Sequence, residues 1–200
     1  IIKISSVSSK INVYTHNDNQ VKANFHGDVT AIGRVSVPYL EVKNEGNAAL
    51  VIIRHPKRLN IGVITGKTTL DVWIPEGWDK DLRVDSTSGD IELNELSGRK
   101  LLVETVSGRI TGKHLYGEEI RLDTASGDIG ITDCKANDDF QADTMSGKIN
   151  VENLTCNIAN VESASGDIKL YSVVSSEKIL ANSISGTIDI QAERGNIKAD

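Results

Sequence analysis

From residue 81 onward the apolar positions recur in fixed places around a Ser-Gly pair. The pair occurs at Ser88-Gly89, Ser107-Gly108, Ser126-Gly127, Ser146-Gly147, Ser165-Gly166 and Ser185-Gly186, at spacings of 19, 19, 20, 19 and 20 residues. Seven residues before each glycine stand Leu82, Leu101, Ile120, Phe140, Ala159 and Ile179; five before stand Val84, Val103, Leu122, Ala142, Val161 and Ala181. Two after each glycine an isoleucine recurs, from Ile91 to Ile188, and four after it stand Leu93, Ile131, Val151, Leu170 and Ile190, with Gly112 as the exception. Alternation with period two marks the inward face of a strand. Each repeat therefore reads as strand, Ser-Gly turn, strand and a looser turn that carries a third apolar row.

Two short strands per repeat, always in the same order, fit a parallel β-solenoid in which equivalent positions stack as columns. Six coils at about 4.8 Å make a rod of about 29 Å. Parallel crossovers are right-handed by default, so a right-handed single-stranded β-helix is expected over 81–200. Residues 1–80 show alternating stretches without a clean repeat: Ile11 and Val13, Val21 to Phe25, Val35 and Val37, Leu40 and Val42, Leu50 to Ile53, and Leu70 to Ile74. Turn signals such as Asn17-Asp18-Asn19 and Asn44-Glu45-Gly46-Asn47 separate them. No segment sustains a helical period. This N-terminal part reads as a β-meander that feeds and caps the solenoid, with the boundary near residue 80 at Pro75-Glu76-Gly77-Trp78. Trp73 and Trp78 flank that boundary; the readings are a ligand platform or, as expected, a plug for the open end of a core.

Charge changes the picture more than composition does. The formal net charge of −6 divides into +3 over residues 1–80 and −9 over 81–200. An acidic repeat region repels phosphates, which argues against nucleic acid as a partner. Cys134 and Cys156 fall at different offsets from their glycines, so they read as small apolar core residues and not as a disulfide. No apolar run approaches the length of a membrane span. The chain starts at Ile1 without an initiator Met, as a trimmed or mature fragment would, so a targeting segment or membrane tether is expected to lie outside it.

Six equivalent serines with no His or Lys at a constant offset do not make a catalytic set; their hydroxyls, and those of the Ser/Thr three before each glycine, suit turn hydrogen bonds. His16, His26, His55 and His114 are scattered and read as ordinary surface or turn residues. Nucleotide-binding loops, zinc spacings, HExxH and calcium nonapeptides are missing, so neither a metal nor a cofactor is expected. Two charged columns remain. The residue after each glycine alternates in sign (Asp90, Arg109, Asp128, Lys148, Asp167, then Thr187), which zips neighbouring coils together. The residue four before each glycine does not alternate: Asp85, Glu104, Asp123, Asp143, Glu162, then Asn182. Like charges in adjacent coils repel. Either solvent, turn amides and neighbours such as Arg83 and Arg121 offset this, or the row binds cations or a cationic polymer.

Leu70-Asp71-Val72-Trp73-Ile74-Pro75, followed by Ser86-Thr87-Ser88-Gly89-Asp90-Ile91 and its five echoes, resembles the bacterial "putative adhesin" family, a domain of unknown function. The resemblance spans nearly the whole chain and is most specific over 68–190. It implies an extracytoplasmic, often membrane-tethered β-solenoid of the bacterial envelope, and it brings no catalytic residues. The expected function is a non-enzymatic surface module that binds an envelope glycan or protein along one face. The alternatives are a carbohydrate-active enzyme of the polysaccharide lyase or hydrolase type, or an assembly module whose open solenoid end supports end-to-end self-association.

Overall fold

The computed structural model describes residues 1–56 and 61–200. Among these there is no helix. The strands are β1 (Ile2–Ser6), β2 (Lys10–His16), β3 (Lys22–Arg34), β4 (Tyr39–Glu45), β5 (Ala48–Arg54), β6 (Ile61–Pro75), β7 (Leu82–Ser86), β8 (Ile91–Ser97), β9 (Lys100–Thr105), β10 (Ile110–Thr124), β11 (Ile129–Thr144), β12 (Ile149–Ser163), β13 (Ile168–Ser183) and β14 (Ile188–Ala199). They form a β-solenoid. From β7 to β14 every coil pairs in parallel with the next, and Ile91, Ile110, Ile129, Ile149, Ile168 and Ile188 are register partners. The two apolar rows before the glycines and the two after them point inward and are buried through most of the stack. Gly112 leaves a gap in one row that the Leu115 and Ile131 side chains fill; a Cβ there would lie 2.7 Å and 2.9 Å from their methyl carbons.

The glycine column exists because the coils touch. These glycines do not have positive φ. A Cβ on Gly127, Gly147 or Gly166 would instead lie 1.7–1.8 Å from the carbonyl oxygen of the glycine one coil below. The Ser/Thr column serves the same turn. Each hydroxyl oxygen accepts from the glycine N–H of its own coil, as Thr144 does from Gly147 at 3.0 Å, and Thr124, Thr144, Ser163 and Ser183 also donate to the glycine carbonyl one coil below, as Thr144 does to Gly127 at 3.1 Å. Buried backbone groups that water cannot reach are thereby satisfied.

A second corner is built differently. Six residues after the first five of these glycines, Glu95, His114, Asp133, Asn153 and Ser172 adopt φ of 53–57°. A left-handed residue turns the strand sharply, and Asn, Asp and His tolerate it better than other side chains with a Cβ. The third corner shows as register shifts, for example between Lys135 and Asp139.

The first strands also enter the parallel stack. β1 lies between β5 and β7, and β2 between β6 and β8. Ile2, Ile4, Ser6, Ser9, Ile11 and Val13 repeat the coil spacing with Ser9 in the glycine place, and Ser9 N–H donates to Ser6 Oγ at 3.1 Å. Ser9 can keep its Cβ because no Ser-Gly turn lies beneath it; its hydroxyl meets Thr68 Oγ1 at 2.8 Å. The antiparallel pairs β3·β6 and β4·β5 supply the meander-like part. One hydrophobic core runs from Ile2 to Ala181. The tryptophans do not plug an end, because the β1–β2 coil places their junction inside the stack. Trp73 stacks on Tyr14 at 6.0 Å, and Trp78 packs on the flank of the core. Cys134 and Cys156 are free and buried; burial pushes their thiols up to about 12 and about 11.

Candidate functional site

β7, β9, β10, β11, β12 and β13 each end on a Ser or Thr of the turn column, and the residue just before it faces outward. Register then stacks Asp85 on Glu104, Glu104 on Asp123, Asp123 on Asp143 and Asp143 on Glu162, with Asn182 beyond. The five carboxylates thus form one continuous row. They line an open groove of about 970 Å³, whose floor is the Ser/Thr column. The opposite rim is a row the sequence reading passed over: Val106, Ala125, Met145, Ala164 and Ile184, two residues before each glycine. Val106, Met145 and Ile184 are 54%, 64% and 85% exposed. The signal was present as a mostly apolar position in each repeat. Its meaning was not, because only the turn shows that this position projects outward beside the acidic row.

The row is compensated at one end only. Arg83 bridges Asp85 at 3.0 Å and Glu104 at 2.8 Å, and Arg121 pairs with Asp123 at 2.7 Å. Among the described residues neither Asp143 nor Glu162 has an ion pair. Gln141 donates its amide to Asp143 at 2.6 Å, and Asn182 donates to Glu162 at 3.4 Å. Burial, with the neighbouring Asp123 and Glu162 charges, pushes the Asp143 carboxyl up to about 6. Its Oδ1 is buried and accepts no hydrogen bond. No three His, Cys, Asp or Glu side chains among the described residues converge as metal ligands would. The groove offers negative potential beside an apolar rim.

The alternating column lies on another face. Asp90 and Asp128 accept from the backbone N–H of Arg109 and Lys148 in the next coil at 2.8 Å and 2.9 Å. Asp167 accepts from Thr187 N–H and hydroxyl and pairs with Lys148 at 3.1 Å, and these contacts hold its carboxyl down to about 2. Each of these carboxylates caps the coil above. His114 sits at the left-handed corner 3.6 Å from Asp133, and His26 contacts Asp71 at 2.7 Å; neither faces the groove.

Among solved structures, a "putative cell adhesion protein" from Clostridium sporogenes is similar with a TM-score of 0.50 and 9% identity, over 96% of this chain and 92% of that one. At that identity the likeness shows a shared fold. A search of curated proteins finds no match. The model of the Toastrack DUF4097 family matches residues 1–200, in agreement with the resemblance carried by the Ser-Gly repeats. The chain belongs to the Toastrack DUF4097 family.

Proposed function

We propose that this chain is a non-enzymatic, extracytoplasmic, adhesin-like module of the cell envelope, and that its groove takes a cationic segment of a partner. The observation that carries the reading is the unequal row: Asp143 and Glu162 lack a cation of their own beside exposed Met145 and Ile184. A lysine- or arginine-rich segment would supply the missing charge, and its aliphatic stems would cover the rim. The family and the name of the structural neighbour support an adhesin-like, cell-surface role. The Ser/Thr hydroxyls are engaged in turn hydrogen bonds, which supports a non-enzymatic reading.

Calorimetric titration with a lysine oligomer and with solubilised envelope proteins tests this. Saturable binding that weakens with salt and is lost in Asp143→Asn/Glu162→Gln is the expected result. Equal affinity in that variant overturns the reading. One observation favours the enzymatic alternative: Asp123 and Asp143 are adjacent carboxyls with unlike environments, as an acid–base pair requires. Polysaccharide turnover that disappears in Asp143→Asn would replace binding with catalysis.

A further inference from the structure

The paired strands β3 and β6 extend beyond the body of the solenoid. Among the described residues, Thr69–Trp73 of β6 lies between β3 and β2, but residues 61–68 pair with β3 alone, over Gly27–Arg34. An isolated two-stranded ribbon is marginal in water, and among the described residues neither edge of this one pairs with a further strand. It is nonetheless apolar. Ile32 and Val63 are 68% and 58% exposed, and Val29 and Ile64 are 37% exposed. Its base is fixed by two glycines with φ of 143°. A Cβ on Gly66 would lie 1.9 Å from the Asp28 carbonyl oxygen, and one on Gly27 would lie 2.2 Å from that of Lys67. The ribbon thus leaves the stack through backbone contacts that only glycine allows. Arg34 and Lys67 are exposed on it, and neither has an ion pair among the described residues.

We infer that the distal ribbon of one copy docks in the acidic groove of a second copy. The inference rests on the groove being a binding site for cationic partners. Three complementarities support it. Arg34 and Lys67, against the single acid Asp28, leave the ribbon net positive, opposite in sign to the groove around Asp143 and Glu162. Ile32 and Val63 match Met145 and Ile184 in apolar exposure. The eight distal residues extend about 27 Å at the rise of an antiparallel strand, and the groove spans about 24 Å at the spacing of stacked coils. Each copy carries one ribbon and one groove, so the contact closes as a reciprocal pair or propagates from copy to copy. It differs from pairing through the open β14 end, which uses neither surface.

Sedimentation velocity over a concentration series tests the inference by charge exchange. The wild type is expected to self-associate, and more weakly as salt rises. Arg34→Glu/Lys67→Glu gives an acidic ribbon facing an acidic groove. Asp143→Lys/Glu162→Lys gives a basic groove facing a basic ribbon. Each variant alone is expected to associate about tenfold or more weakly, the scale of losing close interfacial charge pairs. Mixed together, the two should associate again, because every ribbon then meets a groove of opposite sign. All four substitutions lie on exposed or half-exposed side chains, and circular dichroism confirms the fold.

A wild type that stays monomeric overturns the inference. So do variants that associate as the wild type does, which would point to the β14 edge, and mixtures that fail to recover. If the ribbon variant remains monomeric and loses binding to anionic vesicles that the wild type shows, the ribbon's occupant is a lipid surface and the inference falls. Binding of a lysine oligomer by a wild type that never self-associates would leave the proposed function standing and remove only this inference.

Discussion

At the scale of single residues, the informative group is Asp143. Asp18, Glu41, Glu92 and Asp167 are held low by partners, Asp167 by Thr187 and Lys148. Asp143 is raised, because burial and two neighbouring acids disfavour its charge. An unfolded aspartate titrates at the ordinary 3.8, and the folded one at about 6. Between these values the folded chain holds a proton that the unfolded chain has released. Stability contributed by this residue is therefore greatest below pH 3.8, falls as pH rises to about 6, and stays low above that. Asp167 has the opposite sign: its contribution is present above 3.8 and is lost as pH falls toward about 2. Asp143→Asn should raise the melting temperature relative to wild type at pH 7.5, and the difference should vanish near pH 4. Thermal melts across that range check it; equal melting at both pH values would mean that Asp143 ionises freely in the fold.

At the scale of the element, the coil has three corners with three different solutions. The Ser-Gly corner depends on close approach, the corner at Glu95, His114, Asp133, Asn153 and Ser172 on a left-handed backbone, and the third on a register shift. The first leaves no space. In Gly147→Ala the new methyl would sit 1.8 Å from the Gly127 oxygen, with backbone and not a flexible side chain as the obstacle. The coils must part there, and the Thr144 hydrogen bonds to Gly127 and Gly147 stretch with them. The expected cost is about 3 kcal/mol or more, on the scale of strained or overpacked core substitutions. Chemical denaturation measures it, and a loss below about 1 kcal/mol, the range of surface changes, would show that the turn relaxes freely. The left-handed corner could have been anticipated. A polar residue recurs six positions after the glycine, with Asn, Asp and His among its occupants, yet the strand alternation on either side drew the reading past it.

At the scale of the whole molecule, each coil meets only its neighbours, so stability is a sum of local and interface contributions. The middle coils are covered on both sides. The last is covered on one: Ile188, Ile190 and Ala192 are only partly buried against the core, and Ile197 is 51% exposed. Amide exchange should therefore be slowest in β11 and β12 and faster by about tenfold or more in β14, as expected for the low-stability end of a structure. Mass-spectrometric hydrogen exchange reads this directly; uniform protection from β7 to β14 would mean that the stack opens as one unit. The distal ribbon should exchange fast at low concentration and gain protection where copies associate.

The sequence determined the coil. Its period, inward rows, glycine and hydroxyl columns and acidic row all follow from spacing alone, because a parallel stack repeats the same environment at every turn and selects the same residue type there. It also placed Asp85, Glu104, Asp123, Asp143 and Glu162 in one column. What only the tertiary structure decided is everything that depends on direction or on contacts between distant segments. The insertion of β1 and β2 between β5–β6 and β7–β8 was hidden, because parallel pairing leaves no local turn signal and Ser9 stands where the repeat has glycine. The groove was hidden because its depth comes from the turn, which lifts Val106, Met145 and Ile184 beside the acids. The imbalance along the row was hidden as well. Arg83 and Arg121 are visible in the sequence, but only geometry shows that they bind Asp85, Glu104 and Asp123 and leave Asp143 and Glu162 without a cation.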